Sequence, residues 1–518
     1  MAPSFPAPKA WPYVTLRRPV SMIGLGVLAG LMALRTFNLL LLPMFHDEAI
    51  HISRAQSILA EHTLLINTNG GKFLHPWLLA LVLPLAEDPL LPARALSAAI
   101  GLLAGIGCYL LARQLYQRGD VALVAAALYA LDPFSLFHDR MALPDGLQNA
   151  LVIWSLLFSL AVVRQGRWWQ ILALGLCLGA TIATKISGVL FATFPLLAAW
   201  LWRDDFPRRR VWLAVLAAWL LSSIWLLPVG LDIAHQYEST VFHSWVGKGL
   251  TGSAYLALLG DNLGLIANAL WNYLTPPIVL LALVEVGLGL RRRDKSTWLL
   301  ALAALITLVF FFLTVNEDFY PRYLLPASPF LLILAARGLV DLADWLWKHA
   351  PWPTRHFRWA LLAGLFLAAN SFAVHFDYLL LTDPPRVAWV GTDRQQYIVG
   401  STAGYGVIDA AAYLRQQAHE LGTITVLYAE NASWPHSLNQ PGIQLGLVDF
   451  GMTAQPAFVR KLRQSGTTVF AVLDRPLDDA HAAAFTQGPY AAFCTLVATF
   501  PRPGEESRIE VYRIKFSP

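Results

Sequence analysis

Residues 21–54 read SMIGLGVLAGLMALRTFNLLLLPMFHDEAIHISR. Positions 21–42 carry one charged side chain, Arg35, and are long enough to cross about 30 Å of hydrocarbon at about 1.5 Å per helical residue. Immediately beyond them come His46, Asp47, Glu48 and His51. Passing this abruptly from a lipid-length run to paired carboxylates marks a membrane-anchored chain whose chemistry sits at the bilayer surface.

The rest of the chain agrees. Of its 518 residues 56% are hydrophobic and 14% charged, and the mean hydropathy is +0.52, far from the balance of a soluble globular domain. No small-residue cleavage site follows the first apolar run, so it is expected to stay as an anchor rather than be removed as a signal peptide. Apolar segments recur at about 21–43, 92–114, 121–138, 146–163, 168–184, 187–202, 211–230, 271–290, 297–315, 322–340 and 358–381, which predicts about 11 transmembrane helices. The apolar stretch 77–85 is too short to span and is expected to be interfacial or re-entrant.

Basic residues test this count, because Lys and Arg accumulate in cytoplasmic loops. Lys9, Arg17 and Arg18, then Arg118, Arg164 with Arg167, Arg203 with Arg208 to Arg210, Arg291 to Arg293, and Lys348 with Arg355 mark alternate loops. Acids such as Asp47, Glu48, Asp139, Asp145, Glu317 and Asp318 fill the others. The N-terminus is therefore expected in the cytoplasm and residues 382–518 outside, with long outer loops at about 44–91 and 232–270. Basic residues placed between spans act as topological markers, so the net charge of +5 gives no reason to expect a nucleic-acid partner. The expected domains are 1–381, transmembrane and catalytic, and 382–518, soluble and extracytoplasmic.

A helical pattern at 406–417 and β-rich runs at 423–428, 467–473 and 508–514 predict a small α/β domain in that last region. It has no Gly-rich phosphate loop. Asn431-Ala432-Ser433 fits a glycosylation acceptor, a pattern short enough to arise by chance. The three cysteines are too scattered for a disulfide framework or a zinc site.

The chemistry-bearing residues gather in the outer loops. Asp47 and His51 stand four apart, as in zinc-protease helices, but Asp47 occupies the place of the first His and no further ligand follows at a supporting spacing. His46, His51 and His75 with Glu48 are the weak candidates for a divalent metal; no cofactor is required by the other pattern present. In that pattern one carboxylate serves as a general base beside cations that bind phosphate. The cations are Arg54, Lys72 in GGKFLHPW (70–77), Arg140 in HDRMALPD (138–145), Lys185 in TKISG (184–188) and Arg322 in FYPRY (319–323). Snorkelling at span ends accounts for any one of them, but positive-inside bias should deplete the whole set from outer loops.

With these motifs in this order, the chain resembles the GT-C glycosyltransferases. Within them it is similar to the family 39-like group, the protein O-mannosyltransferases and lipid A aminoarabinose transferases, bacterial branch. The segment QYIVGSTAGYG (396–406) adds to the likeness. The resemblance implies a GT-C fold and an inverting transfer of a sugar from a polyprenyl-phosphate donor to an acceptor hydroxyl of a cell-envelope lipid, glycan or protein, at the cell (inner) membrane. It implies Asp47 as the catalytic base with Glu48 beside it. Lys72 falls on the phosphate-binding lysine, with Arg322 and Tyr323 as further carrier contacts, Arg54 and Lys185 as additional ones, and Asp145 and Arg140 on the substrate-contacting second outer loop. Relatives carry a Pro-Pro pair after that lysine and a Tyr at the place of His51, so the sugar is left open. Tyr237, Trp245 and Lys248 are expected to form a mobile lid. A transporter or lipid flippase is the rival class. It would place ionisable groups at mid-bilayer, and Arg35 is the main residue that fits it.

Overall fold

The structure, a computed structural model, describes residues 18–64, 66, 71–235, 252–314, 320–350, 354–428, 431–447, 466–476, 493–504 and 507–515. The expected lid residues Tyr237, Trp245 and Lys248 and the acids Glu317 and Asp318 lie outside these. The chain divides into two compact units, Met1–Leu39 with Arg54–Leu381, and Leu40–Ser53 with Thr382–Pro518. The acidic segment 40–53, assigned by sequence to the membrane region, thus groups with the C-terminal unit.

The first unit is helical. It contains α1 (Arg18–Thr36), the C-terminal part of α2 (His46–Glu61), α3 (Leu74–Val82), α4 (Leu90–Tyr116), α5 (Gly119–Leu131), α6 (Pro133–His138), α7 (Pro144–Arg164) and α8 (Trp168–Thr184). Further helices follow up to Ser371–Thr382. Among the described residues, four helices are long and apolar enough to cross a membrane, or six if each of two bent pairs counts as one span. The chain is a multi-pass membrane protein.

Several of the expected spans are interrupted, and the interruptions have local causes. The run 121–138 breaks between α5 and α6, where Asp132 accepts from the Ser135 N–H at 2.9 Å and Pro133 sets the first helical turn, a combination that starts a new helix in a new direction. The run 187–202 opens as the 3-10 turn Ile186–Thr193, and 211–230 divides into Arg208–Ser223 and Leu226–His235. Residues 253–270, read from sequence as outer loop, are helical within Ser253–Tyr273; a bend of 109° at Thr275 separates this helix from Pro276–Arg292. Leu256 and Leu263 on it are exposed, and interspersed Gly and Asn residues hide the helix from a hydropathy window.

Helix α4 packs on α1, α5 and α7, and α7 on α8. Close approach is possible because small residues line these contacts. A Cβ at Gly101 of α4 would lie 2.6 Å from the Asp139 carboxylate. Between the spans, Arg118 and Arg358 alternate with Asp120 and Asp344 in a four-member ion network at 2.6–2.8 Å. The hydrogen bond from Arg118 to Asp120 raises the Arg118 pKa further above its ordinary value, against the opposing effect of burial.

The second unit holds a five-stranded sheet, β1 (Ile424–Tyr428), β2 (Ile443–Leu447), β3 (Thr468–Pro476), β4 (Cys494–Pro501) and β5 (Ser507–Ile514), in the order β2-β1-β3-β5-β4. β1 is parallel to β2 and β3, whereas β5 is antiparallel to β3 and β4. Helix Val407–Leu421 lays Val407, Ala410, Ala411 and Leu414 on Ile424, Val426, Phe470, Val472, Ile509 and Val511, the spacing of an amphipathic stripe. The three strands expected from sequence are β1, β3 and β5. The two it missed are β2, half exposed with Gly446 inside it, and β4, which carries a register shift between Leu496 and Ala498.

Candidate active site

In the second unit, α2 starts at His46, placing Asp47 and Glu48 in its first turn, where unpaired N–H groups and the helix dipole favour carboxylates. The two acids have different surroundings. Glu48 is fully buried and its Oε2 accepts from the Phe45 N–H at 3.0 Å, a reach-back that closes the helix start. Asp47 is half-buried.

The C-terminal segment builds the seat of this turn. His46 donates its backbone N–H to Thr402 O at 3.1 Å, and its Nδ1 accepts from the Ala432 N–H at 2.9 Å. The Phe45 ring lies 4.6 Å from that of Tyr397. At Gly404 a Cβ would stand 2.4 Å from Met44 O, so only glycine allows the 396–406 segment to lie against residues 43–46. His436 Nε2 is 3.2 Å from Ala49 O and 3.0 Å from Ser53 Oγ. Asn431 is 2% exposed and donates to Ser401 O and Ala403 O; its amide braces this segment rather than presenting a glycosylation acceptor.

In the first unit, Lys185 and Asp145 form an ion pair at 2.9 Å with both side chains buried. Asp145 stands in the first turn of α7 behind Pro144. Lys185 is the extended residue that ends α8, and Gln148 of α7 donates to Ser187 Oγ at 3.0 Å in the 3-10 turn that follows. The Lys185 ammonium lies 4.3 Å over the Tyr323 ring. Tyr323 in turn stacks on Phe311 at 5.4 Å, and Arg322, 8% exposed, lies over Tyr320 at 4.8 Å. Such cation–π contacts hold cations in place while leaving charge for an anion. Lys72 is half-buried, fixed by the fully buried Phe73, which clusters with Ile182 and Val229. His75 on α3 is buried, and Arg54 on α2 is half-buried.

Arg140 is tied to α1. Its guanidinium donates to the carbonyls of Leu34, Arg35, Phe37 and Asn38 at 2.6–3.1 Å, capping the C-terminal end of α1. It thereby anchors a helix end. Arg94 adds a bond to Leu39 O at 2.9 Å. Arg35 pairs with Asp139 at 3.0 Å, both side chains fully buried, and donates to Tyr129 O and Ala130 O. Its charge belongs to the internal packing of α1, which removes the main observation favouring a transporter.

Among the described residues, no group of three or more His, Cys, Asp or Glu is placed to hold a metal. As site residues the sequence reading passed over His138 and Tyr320, and Asp139, expected among the outer-loop acids, is fully buried against Arg35. His138 and Asp139 stand in the motif 138–145 beside Arg140. The signal available was three titratable residues in a row inside an apolar region.

The fold of this chain is shared by solved structures. Two aligned structures are ArnT from Cupriavidus metallidurans bound to undecaprenyl phosphate, at 17% identity over 95% of this chain and 98% of that one with a TM-score of 0.59, and an Archaeoglobus fulgidus oligosaccharyltransferase in complex with Zn and sulfate, at 13% identity over 87% and 68% with a TM-score of 0.55. The chain has a GT-C fold. Within it, residues 72–230 match the dolichyl-phosphate-mannose-protein mannosyltransferase family model, a range that includes Lys72, His138, Asp145 and Lys185. A curated relative is the undecaprenyl phosphate-alpha-4-amino-4-deoxy-L-arabinose arabinosyl transferase 2 of Proteus mirabilis, 27% identical over 265 residues. That match spans 47% of this chain and 44% of the relative's length.

Proposed function

We propose that this GT-C chain transfers a sugar from a polyprenyl-phosphate carrier to an acceptor hydroxyl in the cell envelope, with inversion at the anomeric carbon, on the outer face of the inner membrane. Support comes above all from one coincidence: the region matching the mannosyltransferase family model also carries Lys72 and the buried Lys185–Asp145 pair.

Residue chemistry follows from the charge flow. An acceptor hydroxyl becomes a competent nucleophile as a base removes its proton, and Asp47, the half-buried acid of the pair, takes that role. The acceptor oxygen forms a bond to the anomeric carbon while the bond from that carbon to the phosphate oxygen breaks, and the electron pair leaves with the phosphate. One displacement gives inversion. A phosphate departs as a stable anion, so no second carboxyl group is needed as acid, unlike in a glycosidase. Lys72 and Arg322 meet the growing negative charge, Arg54, Lys185 and Tyr323 extend the carrier contacts, and Asp145 contacts the sugar or acceptor. Side-chain cations thus supply the charge that a divalent ion would otherwise bring, with the N-terminus cytoplasmic and residues 382–518 extracytoplasmic.

The test is purified full-length protein in nanodiscs with labelled pentose, aminopentose and hexose donors on undecaprenyl phosphate and a cell-envelope acceptor pool. We expect transfer from at least one donor, undiminished by EDTA. Asp47→Asn should lower the rate by at least about a hundredfold, and Lys72→Ala should raise the donor KM. Transfer that survives Asp47→Asn refutes the assigned base, and loss of activity in EDTA refutes the metal-free division of roles.

A further inference from the structure

His138 ends α6, is fully buried and lies near two aromatic rings, Phe134 at 5.2 Å and Phe137 at 4.8 Å. Among the described residues neither of its ring nitrogens has a hydrogen-bond partner. Leaving a buried polar atom unmet costs about 1–3 kcal/mol, and here one ring holds two. The neighbourhood is that of the buried ion pair. A Cβ on Gly146 would lie 3.3 Å from His138 O, which brings the end of α6 against the residue following Asp145. The charges of Asp145, Arg322 and Lys185 all act on the imidazole.

The kind of ligand follows from hydrogen-bond types. A neutral imidazole offers one N–H and one lone pair. Phosphate oxygens only accept, so a carrier phosphate can satisfy one nitrogen at most. A hydroxyl donates as well as accepts, and a sugar carries several on one rigid ring. We propose, resting on the function assigned above, that His138 is a substrate-contacting residue that takes hydroxyl groups of the transferred sugar beside the Asp145–Lys185 pair.

The experiment compares wild type, His138→Leu and His138→Gln, each as the full chain in nanodiscs, on the donor that wild type uses. Two quantities are read: the donor KM, and the affinity for undecaprenyl phosphate without sugar. His138→Leu should raise the donor KM about tenfold or more and leave the affinity for the sugar-free carrier within about twofold. His138→Gln, which keeps a donor and an acceptor, should recover part of the loss. A donor lacking one of the sugar hydroxyl groups should lose less with His138→Leu than with wild type. Equal changes for donor and sugar-free carrier would overturn the proposal by assigning the contact to phosphate. An unchanged KM with a lowered melting temperature would overturn it by leaving a packing or water-binding role only. If wild type consumes no carrier-linked sugar, the functional assignment fails, and this proposal with it; if wild type is active and His138→Leu matches it, only this proposal fails.

Discussion

Removing the charge of Arg35 should unfold the membrane unit more readily than any surface substitution, and removing Asp139 with it should reverse most of the damage. Arg35 Nε and Asp139 Oδ2 are 3.0 Å apart with both side chains fully buried. Tyr129 donates its hydroxyl to the same carboxylate at 3.0 Å, and Asn149 donates to that hydroxyl at 3.2 Å. The other two Arg35 nitrogens meet Ala130 O and Tyr129 O, carbonyls in the last turn of α5 that the helix itself leaves unpaired. Arg35→Met strands a buried carboxylate, which costs about 3–5 kcal/mol. In Arg35→Met/Asp139→Asn no charge remains, and the amide oxygen still accepts from Tyr129. What is left is the lost donor to Ala130 O, since Tyr129 O still accepts from the Ser135 hydroxyl at 3.1 Å, a cost of about 1–3 kcal/mol. The coupling between the two positions should therefore be about 2 kcal/mol or more. Equilibrium unfolding in mixed micelles, read by loss of helical circular dichroism, measures it. If Arg35→Met costs less than about 1 kcal/mol, or if the double variant is as unstable as the two single losses added, the pair does not hold α1 in the way described.

Two further predictions concern the second unit. Glu510 is buried, and although burial pushes its pKa up, hydrogen bonds from Tyr512 and Arg508 at 2.7 Å win and hold it below the ordinary value of 4.5. A depressed carboxylate contributes stability that is complete above its unfolded pKa and is lost as pH falls through the folded one, so hydrogen exchange in 507–514, corrected for intrinsic rate, should accelerate below about pH 4.5 in wild type and lose this acid-dependent part in Glu510→Gln; identical pH profiles would refute the linkage. Gly404→Ala sets a Cβ 2.4 Å from Met44 O, and should cost about 1–3 kcal/mol together with most of the transfer activity, read as melting temperature and donor turnover; a fully active, equally stable variant would show that the 396–406 segment does not seat the acidic turn.

The functional motifs were readable because they are short and local. Two carboxylates after a lipid-length run, or a lysine at the end of another, announce themselves without knowledge of partners. The structure then divided residues that look alike on paper. Arg140 and Arg322 both read as outer-loop cations, yet one guanidinium is taken up by four carbonyls at the end of α1 and the other lies over Tyr320. Asp47 and Glu48 are adjacent, but helix geometry turns Glu48 inward to Phe45 N and leaves Asp47 half-exposed. His138 went unnoticed because nothing in a sequence distinguishes a histidine with satisfied nitrogens from one without.

Hydropathy and charge alternation by themselves determined that this chain crosses a membrane many times, and residue periodicity that a small α/β unit follows the last crossing, because these signals are sums over many residues facing lipid, core or water. Where the spans break, which arginines are spent on helix ends, and that residues 40–53 group with 382–518 were decided only by tertiary structure. Those outcomes depend on single hydrogen bonds and sub-ångström clearances between segments up to about four hundred residues apart in the chain, such as His46 and Ala432, and no local pattern encodes them.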